Sequence, residues 1–143
     1  MPRRRFQFDL SPVLGLRARA VDQAREALGR AVQARLDAQA ALDHARALSA
    51  TAPTTPQTVA QLGGAAIHRT ALARACETAE RTLSAARVRE QTARRALADA
   101  ICDHEALLSL RTQAADAHRA RALKAEASAL DDIAIAGHTP STP

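Results

Sequence analysis

Residues 72–108, LARACETAERTLSAARVREQTARRALADAICDHEALL, hold neither glycine nor proline and repeat small or apolar side chains every seven positions. Leu72, Ala79, Ala86, Ala93, Ala100 and Leu107 form one row, and Cys76, Leu83, Glu90 and Leu97 form its neighbour. Rows of this kind make the seam of an α-helix that packs lengthwise on another helix with a left-handed supercoil. Beyond Leu97 the second row passes to Ile101, Leu108, Ala115, Ala122 and Ala129, a phase shift like that of a stutter. The stretch without glycine or proline widens to 65–136, about 108 Å if helical throughout. Gly137, Pro140 and Pro143 are expected to end this helix and leave a tail over 137–143.

A second helix is expected upstream. In Leu10-Ser11-Pro12, serine suits the N-cap and proline the first helical position, where a missing N–H costs nothing. No further proline occurs before Pro53. Leu14, Val21, Leu28, Arg35 and Leu42 recur by seven, with Arg35 interrupting the apolar row, and Ala24, Ala31, Ala38 and Ala45 accompany them. Helix one therefore covers about residues 11–50. Residues 51–64, TAPTTPQTVAQLGG, carry two prolines, a Gly-Gly pair and no charge, and read as the linker. A reversal centred near 58 sets Leu14 opposite residue 102 and lays helix one along 66–105, leaving 106–136 unpaired. The expected fold is all-α: a long antiparallel two-helix coiled-coil hairpin with a C-terminal helix overhang, forming one domain over 1–143, with helix two at about 65–136.

Composition agrees with a thin helical protein. Of 143 residues, 37 are Ala and 19 are Arg, while Phe occurs twice and Tyr and Trp are absent. Ala, Arg and Leu favour helix, but alanine fills too little volume for a core of several layers. An alanine seam buries little area, so a marginally stable element that expects a partner follows. The net charge of +5 owes much to Arg3, Arg4 and Arg5. Elsewhere the signs intermingle, with seven Arg against six acids in 67–105 and four basic residues against four acids in 106–143.

No stretch is apolar enough to span a bilayer, and MPRRRFQFDLSP lacks the apolar run of a secretory signal. Two cysteines, Cys76 and Cys102, set 26 residues apart on one helix, lie about 39 Å from each other, too far for a disulfide. They read as small seam residues of a protein in a reducing cytoplasm. No phosphate loop, nucleophile elbow or HExxH motif is present, so no enzyme and no cofactor is expected. The histidines are scattered; only His44 and His68 could approach, near the turn, without a third metal ligand. Arg3, Arg4 and Arg5 could meet phosphates, or could form a solvated arm. Phe6 and Phe8, two apart before the helix, either cap the hairpin or anchor in another protein. Asp131 and Asp132 oppose the helix dipole, and either are simply solvated or face basic groups of a partner.

The segment Phe6-x-Phe8-x-Leu10-x-x-Val13-Leu14-x-Leu16-Arg17 resembles the N-terminal signature of the FliJ family of flagellar export proteins. The ending Glu126-x-x-x-Leu130-Asp131-Asp132-x-Ala134 is similar to that family's acidic C-terminal motif. The resemblance implies a cytoplasmic protein, peripheral to the inner membrane, that acts as a central stalk of the flagellar type III export apparatus. It implies three partners: the hexameric export ATPase, the membrane export gate and export chaperones. It places ATPase contacts at Phe6, Phe8, Leu10, Val13, Leu14, Arg17, Glu126, Leu130, Asp131 and Asp132. A YscO-like stalk of virulence secretion is the near alternative. A basic coiled coil that binds nucleic acid is the alternative of a different class, and the balanced charges of 67–143 argue against it.

Overall fold

The computed structural model describes residues 6–52 and 58–137. Helix α1 runs over Ser11–Ala50 and α2 over Val59–Gly137, and no strand occurs among the described residues. The fold is the all-α helical hairpin. Contacts divide the chain into two units, one made of Ala20–Ala100 and the other of Met1–Arg19 with Ile101–Pro143. The Arg3–Arg5 arm, Pro53, Pro56 and the tail from His138 onward lie outside the described residues.

Within Ala20–Ala100 the helices are antiparallel. Arg35 meets Glu90, Gln39 meets Arg87 and Arg46 meets Glu80, so partners on α2 fall in number as those on α1 rise. The seam is built from the expected rows. Ala38, Leu42, Leu83 and Ala86 form a buried cluster against which Ala79 packs, and Val21 and Ala45 are buried as well. Leu42 and Leu83, at 3% and 4% exposure, are the largest side chains in that cluster. Alanines on both helices let the backbones approach, and bulk is confined to these few leucines.

Arg35 does not break the seam. Its Nε donates to Glu90 Oε2 at 2.6 Å, and Arg94 Nη2 donates to Glu90 Oε1 at 2.5 Å. Glu90 is 6% exposed, so its charge is tolerated because both oxygens are occupied. The heptad rows put Glu90 and Arg35 in facing seams without showing that they share a level.

The register differs from the expected one. A reversal centred near 58 would set Arg35 beside residue 81, yet it meets Glu90. The physical reason lies in the linker: α2 begins at Val59, not 65, and continues through Gly63 and Gly64. Neither glycine has a positive φ, so the pair is ordinary helix. The first turns of α2 then extend past the level of Ala50, and Val59 and Ile67 are 86% and 74% exposed. The second expected row also changes. The half-buried positions continue through Ala100, His104 and Leu107; of the row expected to take over, Ile101 and Ala115 are half-buried, whereas Leu108, Ala122 and Ala129 are exposed, so the seam does not transfer to it. At the far end Gly137 is the last helical residue.

Candidate partner-binding site

The chain ends share the unit of Met1–Arg19 with Ile101–Pro143. A tight turn precedes α1. Ser11 N–H donates to the Phe8 carbonyl at 3.0 Å, and Ser11 Oγ donates to the same oxygen at 2.7 Å. Leu14 N–H donates to the Leu10 carbonyl at 2.9 Å, the first bond of the helix. Leu10 is thus the cap residue, Ser11 stands at the first helical position and Pro12 at the second. The expected serine cap is displaced by one residue because the turn offers its hydroxyl a carbonyl to donate to. Pro12 costs nothing at its new position, since the first four N–H groups of a helix have no partner within it.

This turn holds Phe6 and Phe8 half-buried. The Phe6 ring stands 5.6 Å from the His118 ring at an interplanar angle of 58°, a tilted contact favoured by the ring quadrupole. His118 lies in the stretch expected to be unpaired, so the N-terminal segment covers α2 further than the sequence suggested. Ala114 and Ala115 are half-buried in the same stretch, and every described residue from 119 to 137 is exposed. The overhang therefore begins after His118, not at 106.

Leu14 is half-buried in the seam, whereas Leu10, Val13 and Leu16 are exposed. Arg17 Nη1 lies 2.9 Å from Asp103 Oδ2, with both side chains about half exposed, a pair worth at most about 1 kcal/mol. Glu126, Leu130, Asp131 and Asp132 are all exposed, and the two aspartates make no ion pair among the described residues. Leu123, Leu130 and Ile133 follow one another at seven and three residues and share one exposed helix face. Leu130 lies twelve residues past His118, about 18 Å along α2. The structure thus brings the N-terminal motif onto His118 and Asp103, and it leaves Leu130, Asp131 and Asp132 open to solvent.

Three residues of this unit escaped the sequence reading. His118 and Asp103 carry no pattern of their own and gain meaning only from what faces them. His104 is half-buried with its Nδ1 buried and without a hydrogen-bond partner. Cys102, expected in the seam, is exposed because it falls outside the three-and-four spacing that continues through His104, while Cys76 is half-buried. Neither cysteine is in a disulfide. His44 and His68 are exposed, and no group of three or more metal-ligand residues occurs among the described residues. Among the described residues, no helix is long and apolar enough to cross a membrane.

The family described as "Flagellar FliJ protein" matches residues 6–139 of this chain. The chain belongs to the FliJ family. The matched range begins at Phe6 and includes Asp131 and Asp132, so both end motifs of this FliJ-family chain fall inside it. Neither the curated proteins nor the solved structures gave a match.

Proposed function

We propose that this FliJ-family chain is a non-enzymatic central stalk of the flagellar type III export apparatus, linking the hexameric export ATPase to the membrane export gate. The observation that carries the proposal is the family match over nearly the whole chain, including both end motifs. The chain acts as a single hairpin domain in the cytoplasm, peripheral to the inner membrane, with the ATPase, the gate and export chaperones as partners. Its ends form the ATPase-binding surface. Phe6, Phe8, Leu10, Val13 and Leu14 provide the apolar anchor, and Arg17, Glu126, Leu130, Asp131 and Asp132 provide the charged and apolar contacts around it. The exposed helix face of Leu123, Leu130 and Ile133 supports this assignment, since exposed apolar positions flanked by charge are where a partner would dock.

Copurification with the export ATPase tests the reading. The intact chain should bind it and stimulate ATP hydrolysis. Truncation after Ala120 removes the exposed end of α2 and should abolish both effects, whereas substitutions at Thr54 or Thr55 should leave both unchanged. A truncated chain that binds and stimulates normally would overturn the end-on stalk.

A further inference from the structure

We propose that a groove along one flank of the Ala20–Ala100 unit is a second binding surface, lateral to the helix seam, for an acidic segment of a partner protein. Two adjoining depressions form it. One, of about 300 Å³, is lined by Arg35, Arg87, Glu90, Gln91 and Arg94. The next, of about 230 Å³, shares Arg87 with the first and reaches Arg46 and Glu80.

The charge of the groove is one-sided where solvent meets it. Three guanidinium groups and one carboxylate line the first depression, and that carboxylate is buried with both oxygens already bonded, to Arg35 and Arg94. Glu80 is likewise paired, 3.0 Å from Arg46. Among the described residues Arg87 has only a neutral partner, its Nη2 donating to Gln39 Oε1 at 3.4 Å, a long and weak bond. Residues 81–98 contain five Arg and a single acid, Glu90, in a chain whose charges otherwise alternate. The groove thus offers Arg87, which has no carboxylate partner among the described residues, within a local excess of positive charge.

The spacing indicates the occupant. Arg87, Gln91 and Arg94 lie four and three residues apart on α2, on one side of the seam, so the two arginines stand about 10 Å apart along the axis. Carboxylates two helical turns apart on an acidic helix would match that separation, with the Arg87 fork donating to one in a bidentate pair and Arg94 donating to the other through the N–H groups that Glu90 leaves unused. Nucleic acid fits less well. The groove has an excess of only two positive charges and contains no aromatic side chain for a base to stack on.

Fluorescence anisotropy on the full-length chain, with a fluorescein-labelled dodecaglutamate peptide, long enough to carry carboxylates two helical turns apart, at about 50 mM salt, tests the proposal. Arg87→Gln and Gln91→Glu should each weaken binding about tenfold, the loss of one charge-assisted contact or the gain of one repulsion. Arg87→Gln leaves both partners of Glu90 in place, and far-UV circular dichroism should show unchanged helix in each variant. Arg111→Gln, an equal charge change elsewhere on α2, should leave affinity within about twofold. Equal losses in all three variants would reduce the effect to net charge and overturn the groove. Absence of peptide binding by the intact chain would do the same. Preference for a labelled DNA duplex, or displacement of the peptide by inorganic phosphate at equimolar concentration, would assign the arginines to another ligand. This surface lies outside the chain-end unit, so its failure would leave the ATPase result untouched.

Discussion

Arg35 and Glu90 meet inside the helix seam, one charge from each helix, with Arg94 closing on the other carboxylate oxygen. Removing one member strands the other, whereas removing both leaves an ordinary apolar layer. Arg35→Leu should therefore destabilise by about 2 kcal/mol, somewhat below the usual loss for a buried pair because Arg94 stays in place. The double variant Arg35→Leu/Glu90→Leu should recover to within about 1 kcal/mol of the parent or exceed it. Urea unfolding of the four proteins in this cycle measures the coupling. Additive effects would mean that the pair does not act as a unit.

Leucine truncations should rank by burial. Leu83 lies in the buried cluster and Leu97 is only half-buried. Leu83→Ala should cost about 2–3 kcal/mol and Leu97→Ala clearly less. Reversal of that order in chemical denaturation would place the packed layer elsewhere.

Gly63 and Gly64 sit inside α2 with open space where a Cβ would project. Gly63→Ala and Gly64→Ala should each stabilise by about 0.5–1 kcal/mol through helix propensity and a less free unfolded chain. Thermal melts should shift upward. A downward shift would show that the pair is needed as a turn.

His104 carries an unpartnered buried nitrogen. An apolar residue of similar reach removes that desolvation cost, so His104→Leu should stabilise by about 1 kcal/mol. If melting falls instead, the imidazole has a partner in solution, such as a water.

Asp131 and Asp132 are exposed, and charge reversal there should weaken ATPase binding more at about 50 mM salt than at about 500 mM, where screening removes most of the attraction. Titration calorimetry at both ionic strengths reads the difference. Equal effects at both would exclude simple ion pairing at the partner.

Helix content and the packed faces are legible from residue type alone. Alanine and arginine favour helix wherever no glycine or proline intervenes, and seven-residue rows mark a packed face without reference to what lies opposite. The rows by themselves place Leu42, Leu83 and Ala86 in the seam, where all three are buried. The extent of α1 at 11–50 follows from Pro12 and the prolines beyond Ala50. The two end motifs are readable as well, because they are local strings.

Register is not readable, and everything that depends on it is decided by the tertiary structure. A heptad pattern is unchanged when one helix slides by seven residues along the other, so it does not determine which layer of α1 meets which layer of α2. That choice depends on where the second helix starts, and Val59–Gly64 adopts helix against the weak propensity of its glycines. Only then does Arg35 find Glu90, Arg17 find Asp103 and Phe6 find His118. The arginine groove has the same origin: Arg87 and Arg94 lie on one helix and Arg35 on the other, and a cationic surface exists only because tertiary packing brings them to one level while burying the carboxylate between them.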